Sequence, residues 1–247
     1  MWVAHANYDG AHVAFIWDKN EACPGHFLQL FESIPTVMFA TNMSRYVLDK
    51  HAKIVYENSN AVFTWTLQMN HVPKARYGFP TWHDIEYRMY ARYIPNRDIT
   101  SKVELFVKQF NICNCSAMHI RATDLAVQLA KKKKPLHIES YYHFVETRLP
   151  SEPVYLLTDS PVMQRQFLEK YGSKKIIVFE VIPMPPPITT NETVPEDRRF
   201  TSLEHTLIDV LIAAHARHFK GAAMSSLTEL VRIFSDIGRK DRGWCSS

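Results

Sequence analysis

The chain has 247 residues, 46% of them hydrophobic and 12% aromatic, enough for one large core or two small ones. A formal charge of +4 suits a small anionic ligand, while Lys131 to Lys134 lack the interleaved aromatics and arginines of a nucleic-acid patch and read as a solvated helix end. No apolar run of about 20 residues is present, so no membrane span is expected, and no segment has a disordered composition.

In chain order, residues 12–17 read as a buried strand, followed by a polar loop holding Asp18 and Glu21. Phe27 to Phe31 open a short helix, and 36–40 form the next strand. Residues 53–56 and 61–67 are further strand candidates, and 70–82 read as a loop. A helix over 84–93 is broken at Ile94-Pro95. Val103, Phe106, Val107 and Phe110 recur at helical spacing, and Ser101 with Glu104 fits a capping box. The crossing between two domains is placed near here, giving 1–98 and 99–247.

The second half alternates strand and helix. Strands are expected at 115–120, 154–159 and 176–181, and helices at 124–133, 138–148 and 161–171. Ser160-Pro161 starts the last of these and Gly172 closes it. A long loop fills 183–199. The helix 202–216 is apolar on nearly every side, so it is buried. Asp209 lies inside it and must have a partner, because an unpaired buried charge is very costly. A short strand near 217–221 precedes a final helix headed by Ser225-Ser226. Such alternation implies α/β architecture with parallel sheets.

The four cysteines, Cys23, Cys113, Cys115 and Cys245, show no CxxC spacing, so free thiols, no metal site and a reducing compartment are expected. The first residues do not resemble a signal peptide, which points to a cytoplasmic protein. Asn42, Asn114 and Asn191 head glycosylation triplets, which in that setting read as chance matches.

Polar chemistry gathers at element ends. His119-Ile-Arg121-Ala-Thr-Asp124 and Thr158-Asp159 close strands, where α/β sheets bind ligands. Ser225-Ser226 head a helix, whose free N–H groups and dipole suit phosphate. Arg121 offers a planar fork of donors to the same group. Ion pairing for Arg121 and plain capping for Asp159 and Ser225-Ser226 are the structural alternatives.

These stretches resemble the GDP-fucose-dependent fucosyltransferases, the family of the core, nodulation and protein O-fucosyltransferases. His119 to Asp124 is similar to their first motif and Val154 to Pro161 to their second. The segment from Arg199 through Asp209 to Ser225-Ser226 is similar to their third. Phe15 to Trp17, Cys23 and Phe27 to Phe31 match more loosely. The resemblance implies a GT-B fold, two Rossmann-like domains with parallel sheets facing a cleft. It also implies inverting, metal-independent sugar transfer from a GDP-sugar to a glycan hydroxyl. The donor is a substrate, and no cofactor is implied. Arg121 would stabilise the leaving diphosphate, with His119, Asp124, Asp159, Arg199, Asp209, Ser225 and Ser226 lining or bracing the donor pocket. Asp18 and Glu21 are candidates for the base. Ala122 and Leu125 stand where the family commonly has Arg and Lys. The alternatives are therefore a non-catalytic sugar-nucleotide or glycan-binding module, or a transferase using another nucleotide sugar. A dinucleotide oxidoreductase would need a GxGxxG after a strand, and none is present.

Overall fold

The computed structural model describes residues 13–16, 26–34, 37–40, 87–88, 90–122, 137–184, 201–222 and 225–245. The expected strands at 53–56 and 61–67, the loop at 70–82 and the helix at 124–133 lie outside these residues. So do Asp18, Glu21, Asp124 and Arg199. The chain divides into two compact units, Met1–Ile94 and Pro95–Ser247.

In the first unit, β1 (Val13–Ile16) and β2 (Val37–Ala40) pair in parallel, Val13 opposite Val37. Parallel neighbours need a crossover, and α1 (Phe27–Leu30) lies within it. His26 starts α1 with a capping box: its Nδ1 accepts from the Leu28 N–H, and the Gln29 side chain accepts from the His26 N–H. Phe27, Phe31 and Tyr93 pack their rings together behind it.

The second unit opens with α2 (Arg97–Phe110). The Asn96 side chain accepts from the Ile99 N–H at 3.1 Å, so the helix starts at Arg97, ahead of the expected capping box at Ser101. Ser101 and Glu104 are inside it and form no capping box.

Four parallel strands follow: β3 (Ser116–Ile120), β4 (Val154–Thr158), β5 (Ile176–Ile177) and β6 (His218–Lys220), in the order β5-β4-β3-β6. Every residue of β3 and β4 is buried, as central parallel strands require, which is why they read as unbroken apolar runs. Alternation sends Met118, Ile120, Val154 and Leu156 to one face, where they pack with Tyr141 and Val145 of α3 (Glu139–Glu146) and Phe167 of α4 (Pro161–Tyr171). Tyr155 points to the other face, against Phe106 of α2 and Asp209 of α5 (Leu203–Ala214). α6 (Ser226–Asp241) packs on α5.

Strand β5 stops at Ile177, short of the expected 181. The buried Gln164 amide replaces a neighbouring strand beyond that point: its Nε2 donates to the Glu180 carbonyl and its Oε1 accepts from the Ile182 N–H, at 2.9 and 2.8 Å. Phe179 turns inward instead, onto Phe106 and His205.

The cysteines do not follow the free-thiol expectation. Cys113 and Cys245 form a disulfide with Cα atoms 5.4 Å apart, and among the described residues Cys115 alone is free. The bond ties the chain after α6 to the α2–β3 junction. Trp244 lies in the same strap, stacked on His215 at 3.8 Å. It fits because residue 238 is glycine: a Cβ there would lie 1.9 Å from the indole.

Candidate functional site

The sheet order creates one distinctive place. From β3 the chain steps outward through β4 to β5, then returns to lay β6 on the other side of β3. The β3–β6 boundary is thus the topological switch point, where the two following segments part and leave a crevice at the strand C-termini. Arg121 follows β3 directly, and Gly221 follows β6 directly. The β6 turn leads into α6, with Ser225 as N-cap and Ser226 as its first residue.

A side chain holds these parts in register. His119 Nδ1 is 3.0 Å from Thr228 Oγ1, in the first turn of α6. The same oxygen lies 2.9 Å from the Ala222 N and 3.1 Å from the Ala222 carbonyl oxygen. A carbonyl only accepts, so all three contacts are hydrogen bonds at once in a single arrangement. The hydroxyl donates to the Ala222 carbonyl and accepts from the Ala222 N–H and His119 Nδ1–H, leaving Nε2 as the acceptor nitrogen. Burial, reinforced by the nearby Arg121 charge, pushes His119 down to about 4, so the ring is neutral at pH 7. Gly221 is required by close approach, since a Cβ there would lie 2.1 Å from Thr228 Cγ2.

Strand alternation puts Arg121 on the same side as His119, and its side chain is half-buried. Asp159, at the end of β4, accepts from the Ala122 N–H at 2.9 Å and so fixes the backbone beside Arg121. Capping of α4 falls instead to Ser160, whose Oγ accepts from the Met163 N–H. Ser225 is buried, makes no side-chain capping bond to α6, and stands beside the exposed Ser226. Ser225 thus holds the N-cap position of α6 without a side-chain capping bond. α6 presents its N-terminal N–H groups at the same sheet edge, where they favour an anion.

Asp209 has its partners inside the fold. Its carboxylate accepts from the Tyr155 hydroxyl and lies 3.3 Å from His205 Nε2, while His205 Nδ1 is 3.4 Å from Glu180. Burial raises Asp209 and drives Tyr155 well above its usual value. Burial alone would lower His205, but the Asp209 bond and charge, with Glu180 beyond, outweigh it and raise the ring. Asp209 thus lies under the Tyr155 face of the sheet, the face that also carries Ala117 and His119, and its bonds run into the fold. Among the described residues no group of three or more His, Cys, Asp or Glu is placed to hold a metal ion, and no helix is long and apolar enough to cross a membrane.

Thr228, Gly221 and Tyr155 were not singled out from the sequence. Gly221, a lone glycine between a strand and a helix that starts Ser-Ser, was the available signal for a tight turn. Nothing local in the sequence marks Thr228 or Tyr155, whose roles come from residues 109 and 54 positions away.

A parallel sheet with a cationic strand tip and a helix N-terminus at its switch point belongs to the Rossmann-like class of α/β folds. Within that class the fold is that of the GT-B fucosyltransferases. The chain matches fucosyltransferase NodZ from Bradyrhizobium with a TM-score of 0.57 at 14% identity, covering 94% of this chain and 85% of that one. It matches NodZ alpha-1,6-fucosyltransferase soaked with GDP-fucose with a TM-score of 0.54 at 12% identity, again over 94% and 85%. The same enzyme co-crystallized with GDP gives 0.54 at 11% identity, over 93% and 84%. No family model matches the chain, and no curated protein is similar to it in sequence.

Proposed function

We propose that the protein is a glycosyltransferase that moves a sugar, fucose first among the candidates, from a GDP-sugar to a glycan hydroxyl. What supports this reading is that Arg121 and the α6 N-terminus follow the C-terminal ends of neighbouring strands β3 and β6, in a fold shared with fucosyltransferases along 94% of the chain. In the proposed reaction the acceptor oxygen attacks the anomeric carbon from the face opposite the diphosphate. The bond from that carbon to the diphosphate oxygen breaks, GDP leaves with the electron pair, and the anomeric configuration inverts.

Charge then develops on the leaving diphosphate, where fixed donors lower a barrier most. Arg121 supplies a charged fork of N–H groups, and α6 supplies backbone N–H groups with the Ser225 and Ser226 hydroxyls. These groups suit a metal-independent reaction. His119 acts as a positioning residue, because its Nδ1–H is spent on Thr228. Asp159 positions the turn through Ala122, and Asp209 braces the core through Tyr155 and His205. Asp124 and Arg199 are proposed to complete the donor pocket, and Asp18 or Glu21 to take the acceptor proton. Residues 1–98 would serve the acceptor and 99–247 the nucleotide.

Turnover of Arg121→Ala tests the assignment. Loss of one such donor costs about 10²–10³ in rate, and a drop below about tenfold would remove Arg121 from this role. The second reading, a module that binds the sugar nucleotide without transferring it, is favoured by Ala122 at a position where the family carries Arg. It predicts tight donor binding with neither transfer nor donor hydrolysis.

A further inference from the structure

We propose that Asn114 carries an asparagine-linked glycan and that the chain folds in an oxidising compartment. Two independent observations meet at this point. Cys113 is joined to Cys245 across 132 residues of sequence, and such bonds persist where glutathione and thioredoxin do not reduce them. The next residue heads the triplet Asn114-Cys115-Ser116, an acceptor pattern, and its side chain is exposed. Oxidation and glycosylation are features of the same compartment, and here they fall on adjacent residues.

The local geometry accepts the modification. Asn114 lies in a 3₁₀ turn, Ile112–Asn114, between α2 and β3. Its Nδ2 donates to Asn111 Oδ1 at 3.0 Å. An amide nitrogen has two hydrogens, so one can leave and the other can keep this bond. In the transfer, Nδ2 attacks C1 of a lipid-diphosphate-linked oligosaccharide. The C1–N bond forms, the C1–O bond breaks, and the lipid diphosphate leaves with the electron pair and takes up the proton that Nδ2 releases. The neighbouring Cys115 is spared from oxidation chemistry, because burial pushes its thiol up to about 11 and leaves it protonated.

Timing is also set by the fold. Ser116, the hydroxyl of the triplet, is fully buried in β3 and donates to Glu152. The folded chain therefore cannot present an extended triplet to an enzyme. During synthesis the triplet emerges before Val154, which pairs with Ser116, and long before Cys245. Modification thus precedes both the sheet and the disulfide. The glycan would stand at the amino-terminal edge of β3, the edge opposite Arg121, and leave the switch-point crevice open.

The test is expression of the full chain through the secretory pathway of a eukaryotic cell, followed by peptide mass mapping before and after peptide-N-glycosidase. The expected result is conversion of Asn114 to Asp by that enzyme, together with a Cys113–Cys245 cross-linked peptide. Asn114→Gln should abolish the glycan at this site and its share of the gel shift, while GDP binding stays within about twofold of the unsubstituted protein, since residue 114 lies at the opposite edge. A secreted protein with Asn114 bare overturns the proposal. So does a folded protein in which Cys113 and Cys245 are both free thiols.

Discussion

Replacing Thr228 by valine removes one oxygen and strands three polar groups. The side chain is almost fully buried, so water cannot take over the lost bonds. The Ala222 N–H, the Ala222 carbonyl and His119 Nδ1–H all lose their partner. A stranded buried group costs about 1–3 kcal/mol. His119 can soften its share by shifting its proton to Nε2, so the two Ala222 groups set a net loss for Thr228→Val of about 2–6 kcal/mol. Valine has nearly the size of threonine, so the loss comes from the stranded polar groups and not from a cavity. Thr228→Ser is the control: it keeps the hydroxyl and loses only the methyl that faces Gly221, at a cost of about 1 kcal/mol. Urea unfolding of the three proteins would show the valine midpoint falling well below the serine one at unchanged slope. A valine loss under about 1 kcal/mol, or equal losses in both variants, would refute the triple bond. Nucleotide affinity should also fall in Thr228→Val, because the strand tip and the α6 N-terminus would no longer share a register.

Tyr155→Phe deprives the buried Asp209 of a donor, and a hydrogen bond to a charged group contributes about 1.5–3 kcal/mol, so thermal unfolding should report a loss of about 2 kcal/mol. The fall of His119 from 6.5 to about 4 means that the unfolded chain takes up the proton first. Its contribution is therefore complete above about pH 6.5 and is lost as pH drops toward 4, by about 3 kcal/mol at about 1.4 kcal/mol per unit. The pH profile of His119→Asn should lack that component. Cys245→Ser opens a 132-residue separation and should cost about 5 kcal/mol by loop entropy. Reductant should produce the same loss in the unsubstituted protein and no further loss in the variant.

The second unit was largely legible because its strands and helices carry local signals. β3 and β4 are apolar runs that end in charge, and α4 has Ser160, Pro161 and Gly172 as punctuation. Asp209, read as a buried carboxylate needing a partner, has two. The misjudged features depend on residues far apart in sequence. The apolar run at 176–181 is longer than its strand because Gln164 takes over the backbone bonds of Glu180 and Ile182. Cys113 could not be told from Cys115 by spacing, and only the fold brings Cys245 beside one of them. α2 starts at Arg97 because Asn96, not Ser101, caps it. At the site, His119 and Arg121 were legible as a strand tip, but the tie to Thr228 was not.

Calorimetric titration of GDP into the full chain and into Arg121→Ala tests the central claim most directly. A charge-assisted bond to phosphate is worth about 1.5–3 kcal/mol, so the variant should bind GDP about 10- to 100-fold more weakly, with Ser225→Ala weakening it in the same direction. Equal GDP affinity in the Arg121→Ala variant and the unsubstituted chain would contradict the account, because the β3 tip would then not be where the diphosphate is held.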